Sequence, residues 1–240
     1  DAAVQAEGDI TITARATTVV EAFAAALSTA SGSKNSIGLA GAGAVNDVDN
    51  DTQAFIEAKA TVTAGGSVNV TADDGTSLYA QAGAIAYTST AGDTGADGST
   101  GGEAGASSSS AASGSVGVSV ALNRIGQKAN IVQAFVRDAD ILTTSDVQIV
   151  ARTSGDVHAL ALSGSVATAN SGDGQLTGGT NLAGAASGAY AASQIATEIQ
   201  AAILEQSDVK STEGNVALTA VDRQGDSGRR FIRSDAFGAA

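Results

Sequence analysis

The chain offers one cluster of hard oxygen ligands at a turn. The string "NDVDND" (Asn46 to Asp51) places Asp47, Asp49 and Asp51 at alternate positions. A hard cation such as calcium takes several oxygen ligands from a turning loop, so these three carboxylates are the calcium candidates. The corresponding segment one repeat later, "NRIGQKAN", carries no acid. Metal binding is therefore no general property of the repeat, and a solvated acidic turn is the simpler reading. Asp93, Asp97, Glu103 and Asp173 lie in Gly-rich stretches and have less support.

A second string, "GDSG" (Gly225 to Gly228), has the form of a serine nucleophile segment. A Ser-His-Asp triad needs a base within reach of the hydroxyl. The only histidine is His158, which aligns with Glu21 and Tyr79 at a variable polar position of a strand. No residue is assigned a catalytic role, and the chain is read as a non-enzyme.

The remaining candidates are structural. Gln53, Gln133 and Gln200 open equivalent segments, "QAFI", "QAFV" and "QAAI", and are candidates for a stacked amide ladder. Asn46 and Asn123 follow equivalent alternating runs. Local turn chemistry is their default reading, since Asn readily bonds local backbone; a stacked Asn ladder is the less favoured alternative, because Ser193 stands at the matching distance before Gln200. Arg223, Arg229, Arg230 and Arg233 concentrate positive charge in the last eighteen residues and are candidates for contact with another subunit.

The elements that would position these groups follow a repeat. "V-x-V-x-A" segments begin at Ile10, Val68, Val147 and Val216, spaced 58, 79 and 69 residues apart. Alternating runs follow, such as Val20-x-Ala22-x-Ala24 and Leu78-x-Ala80-x-Ala82, then Leu39-x-Gly41-x-Gly43-x-Val45 and Val116-x-Val118-x-Val120-x-Leu122. A period of two is strand geometry. The repeats run over 8–65, 66–145, 146–213 and a truncated 214–240, after the end of a preceding unit at 1–7. Length differences fall in one loop, longest at 88–115. "GAYAASQIATEIQAAILEQ" also fits a helix by its Ile195, Ile199, Ile203 spacing, but its repeat counterpart alternates, so strand is preferred.

The net charge of -13 opposes nucleic-acid binding, where Lys and Arg neutralise phosphates. No stretch is long and apolar enough for a membrane-spanning helix. Aromatic content of 3% cannot supply the girdles of a membrane barrel. No cysteine is present, which excludes disulfides and thiolate metal sites. No proline is present either, as expected where nearly every strand must donate to neighbours on both sides. The absence of Met reads as a piece of a longer chain.

The strings "TVTAGGSVNVTADD", "SVALNRIG" and "QAFV" resemble the repeats of giant bacterial exported and surface proteins, of filamentous-haemagglutinin-like or leukotoxin type. The resemblance covers essentially the whole chain. It implies an all-β parallel β-helix or β-solenoid, an extracellular or cell-surface location, and a role in adhesion, coating or cell contact. The long paired runs point to strand hairpins projecting from the stack, with Ala/Val layers inside. Stacked antiparallel sheets are the alternative architecture. The expected partners are neighbouring copies or repeats and cell-surface components. Calcium stabilisation and end-to-end assembly into a filament are the alternative functional readings.

Overall fold

Val-x-Val-x-Ala segments have an apolar side that only a sheet can cover, and their β-branched residues suit a pleated surface. The structure, a computed structural model, describes residues 2–33, 35–91, 110–170, 181–222 and 232–240. In it these segments are the strands β2 (Ile10–Ala16), β7 (Val68–Gly75), β12 (Val147–Ser154) and β17 (Val216–Asp222). Each is followed by a long strand: β3 (Val19–Gly32), β8 (Ser77–Ala91), β13 (Val157–Asn170) and the shorter β18 (Ile232–Ala239). A second long strand returns: β4 (Asn35–Val48), β9 (Ala111–Ile125) and β14 (Asn181–Ile195). Short strands complete the coil: β5 (Asp51–Ile56), β10 (Ile131–Arg137) and β15 (Glu198–Leu204), then β6 (Thr61–Ala64), β11 (Asp140–Thr143) and β16 (Asp208–Ser211). The initial β1 (Ala3–Ala6) belongs with this last group.

Every pairing is parallel and joins equivalent strands of successive coils. Five sheets result. Sheet I is β1-β6-β11-β16, sheet II β17-β12-β7-β2, sheet III β18-β13-β8-β3, sheet IV β14-β9-β4 and sheet V β15-β10-β5. The chain is a parallel β-helix, and no antiparallel stack forms among the described residues. The segment from Gly188 to Leu204, with its helical spacing, is the end of β14 and the whole of β15, separated by a corner at Ala196 and Thr197. Pairing across coils outweighs a local preference that is worth only tenths of a kcal/mol per residue.

The projecting element is an arch, and this refines the hairpin expectation. β3 and β4 fold back on each other without sharing a ladder. Each pairs instead with its counterpart in the next coil, β8 and β9. Sheets III and IV therefore lie face to face as a two-layer arm, about 45 Å long from strands of 14–15 residues. The expected loop at 88–115 is also shorter than read: Thr88–Ala91 and Ala111–Ser115 belong to strands, and 92–109 lies outside the described residues.

Three kinds of core follow from residue size. The body, enclosed by sheets I, II and V, is filled by Val68, Val70, Val132, Val136, Ile141, Val147 and Ile149 with small alanines between them. Full burial of each such aliphatic side chain stabilises by roughly 1.5–3 kcal/mol. At the root of the arm, Leu78, Val157 and Ile125 pack with Val20, Val48 and Ile195. Farther out the layer is almost all alanine, including Ala44, Ala80, Ala82, Ala121, Ala159 and Ala161. Small side chains let two sheets lie close and give the arm its thin section.

Two turns need glycine. Gly126 has φ +76°, and a Cβ there would stand 1.8 Å from the carbonyl oxygen of Ala196 in the next coil. Gly155 has φ +127°, and a Cβ would stand 2.0 Å from the carbonyl oxygen of Thr76. Stacking coils at strand spacing leaves no room for a side chain at these corners.

Candidate functional site

The arm and its root are where the repeat departs from a plain β-helix. Asn46 and Asn123 are 3% and 1% exposed, inside the root between sheets III and IV. They stack in register. Nδ2 of Asn46 donates to Oδ1 of Asn123 at 2.9 Å and to the carbonyl of Tyr79 at 2.8 Å. Nδ2 of Asn123 donates to the carbonyl of His158 at 2.7 Å. Each amide thus ties sheet IV to sheet III one coil further on. The turn reading is corrected to a buried ladder: the side chains point inward, on the buried parity of β4 and β9, where a partnered amide is tolerated. Ser193 occupies the third rung and accepts a hydrogen bond from Ser234 at 3.0 Å.

A second ladder, unseen in the sequence, lies at the following corner. The Asn50 backbone N–H donates to Oδ1 of Asn130 at 3.1 Å, and Nδ2 of Asn130 donates to Oγ1 of Thr197 at 2.9 Å. Nδ2 of Asn50 also donates to Thr76, which donates in turn to the buried Asp74. The sequence signal was the position of Asn50, Asn130 and Thr197 one residue before β5, β10 and β15.

Gln53, Gln133 and Gln200 are in register on the outer side of sheet V. Gln133 donates to Gln200 at 3.1 Å, whereas Gln53 donates to Asp51 at 2.6 Å. Beside them Phe55 stacks on Phe135 with ring centroids 5.2 Å apart. The guanidinium of Arg137 lies 4.7 Å from the Phe135 ring centre and pairs with Glu57 at 3.3 Å.

The calcium candidates do not converge. Asp47 faces outward near the end of β4. Asp49 accepts from the backbone N–H of Lys128 at 3.1 Å, and Asp51 accepts from Gln53. Among the described residues no group of three or more His, Asp or Glu is gathered where it could hold a metal. Arg233 is ion-paired with Asp235, whose carboxylate also lies 3.7 Å from His158. Arg223, Arg229, Arg230 and the "GDSG" string with Ser227 lie outside the described residues. On sheet I, the exposed Lys210 is held above its ordinary range by the hydrogen bond and charge of Asp208. No helix among the described residues is long and apolar enough to cross a membrane.

The outer faces of the arm correct one expectation. The runs Leu39 to Val45 and Val116 to Leu122 point outward, with Ala40, Ala44, Ser115, Ser119 and Ala121 on the buried side. Leu39 is 67% exposed and Val118 45%. Sheet III has a similar exterior, with Phe23, Leu27, Ile85 and Leu162 exposed. A signal for this was present: 75–91, 110–123 and 181–197 contain no Asp, Glu, Lys or Arg on either parity. Strands charged on neither face are typical of sheets covered on both. No protein-family model matches the chain, and neither a curated protein nor a solved structure matches it.

Proposed function

We propose that the chain is a non-enzymatic structural segment of a large bacterial surface fibre or adhesin, acting by extension, coating and cell contact. The observation that carries this reading is the coil itself. All five sheets propagate along one axis, and each added coil lengthens the structure by about 4.8 Å. Cross-coil backbone hydrogen bonds then lie along the direction in which a fibre is pulled. The connections between the two long strands differ in length from coil to coil while strand register is kept, so variation is confined to one edge of the stack.

The test is an antibody raised against the 240-residue chain and applied to intact producing cells. Decoration of extended surface structures is expected. Labelling only after permeabilisation would overturn the proposal.

A further inference from the structure

The exterior of sheet IV is a candidate interface, and its relief identifies the partner. From tip towards root, its outward columns across β4, β9 and β14 are Ile37-Gly114-Gly184, Leu39-Val116-Ala186, Gly41-Val118-Gly188, Gly43-Val120-Tyr190 and Val45-Leu122-Ala192. None of these positions is charged or polar apart from the Tyr190 hydroxyl. Space around Gly41, Gly43, Gly184 and Gly188 is open, with no atom within 4 Å of a Cβ. The face is therefore a set of ridges and hollows on a flat sheet.

We infer that this face packs on the same face of a second copy, reversed end for end about Val118. The operation is a two-fold rotation about an axis parallel to the β-helix axis, so each coil stays level with its partner coil. It sets the Leu39 side chain over Gly43, Tyr190 over Ala186, and Leu122 over Gly114. Val116 meets Val120, and Val118 meets its own counterpart. Ile37 meets Val45, and the Gly41 and Gly188 hollows face their own counterparts, while the three large residues Leu39, Tyr190 and Leu122 fall opposite small ones, as facing sheets interdigitate. The interface is isologous, so it closes at two copies.

Charge favours the same orientation. The chain carries -13, and none of that charge lies on the arm columns just named. Reversal puts the two acidic bodies at opposite ends, with the arm roots about 46 Å apart. That is several times the screening length of about 8 Å at physiological salt. A lipid surface is the poorer occupant, because the face offers no Lys or Arg to an anionic headgroup layer.

Area sets the strength. Residues 37–45 over three strands cover about 27 Å by 14 Å, or roughly 400 Å² per copy. The pair buries roughly 800 Å², below the ~1,200 Å² of a stable complex. A weak, concentration-dependent dimer follows for this chain, strengthening with every coil added to both partners. This inference holds whether or not the chain is a surface fibre.

Sedimentation velocity of the 240-residue chain from micromolar to millimolar concentration tests it, with circular dichroism confirming that each variant is folded. Reversible dimers are expected. Val118→Asp, and separately Tyr190→Asp, should raise the dimer dissociation constant at least about tenfold. Leu162→Asp, on the opposite face of the arm, should leave it unchanged. Because the chain has no cysteine, a short bis-maleimide should link Val118→Cys into dimers but not Leu39→Cys, whose copies stand about 13 Å apart along the strands. Monomers at every concentration would overturn the proposal. So would dimers lost through Leu162→Asp alone, or monomers that float with phosphatidylcholine vesicles.

Discussion

Asn46 and Asn123 form a two-rung amide ladder in the root of the arm, with Nδ2 of the first 2.9 Å from Oδ1 of the second. The ladder does more than satisfy two buried amides. Its remaining donors reach the carbonyls of Tyr79 and His158, so each rung locks the two sheets of the arm at a fixed offset of one coil.

Asn123→Ala should lower stability by about 2–3 kcal/mol, because it leaves the Asn46 amide and the His158 carbonyl with lost partners in a buried site. Asn123→Asp should cost more near neutral pH, since an acceptor replaces the donor that faced two carbonyl-bearing strands. Denaturant midpoints at constant slope measure both. Equal stability of Asn123→Ala and the native chain would show that the ladder contributes nothing.

Ser193→Asn should add the missing rung. The rungs advance from the carbonyl of residue 79 to that of 158, and the strand register continues to Arg233. The new amide should accept from Asn123 less favourably than it donates to the Arg233 carbonyl, for a net gain of about 0.5–1.5 kcal/mol. A higher melting temperature is the expected result.

Buried hydroxyls in the arm give an opposite expectation. Ser115 and Ser119 are 1% and 0% exposed, and their hydroxyls have no hydrogen-bond partner among the described residues. Ser119→Ala keeps the thin section of the layer and removes a desolvated polar group, so stability should rise by about 1 kcal/mol. A fall in the denaturation midpoint would mean that the hydroxyl is partnered in solution.

Glycine substitutions should separate the corners from the arm. Gly126→Ala places a methyl group against the Ala196 carbonyl at positive φ and should cost about 3 kcal/mol or more. Gly83→Ala, in a strand of sheet III with open space around it, should change stability by less than about 0.5 kcal/mol. Thermal melts of the two variants side by side check the contrast.

Excess chelator should leave the melting temperature unchanged. Asp49 already holds the Lys128 amide and Asp51 the Gln53 amide, so the carboxylates near the turn stabilise the chain without a cation. A melting temperature that falls on chelation and recovers with added calcium would restore the calcium-stabilised reading.

Much of the β-helix was legible in the chain. The Val-x-Val-x-Ala segments, the alternating alanines and the absence of proline each report a strand paired on both sides, and their spacing reports the coil. The period of two also placed Ala80, Ala82 and Val70 in the core. It gave little to decide which parity of β9 faces inward, because Ala111 to Asn123 carries no charge on either parity and only Arg124, at the strand end, marks the Val116 parity as outward. Val116, Val118 and Val120 are larger, which favours burying them, yet along this stretch the gap between sheets III and IV is filled by Ala, Ser and Gly. That gap exists only once two arms of alanine have come together. The same is true of Asn46 and Asn123: residue type marked them as turn formers, whereas their partners, at residues 79 and 158, are supplied by a different sheet of the following coil. Local periodicity therefore determined the strands and their order of stacking. Tertiary structure alone decided which face is hidden and which amides meet, because both depend on contacts between segments that the pattern along the chain does not relate.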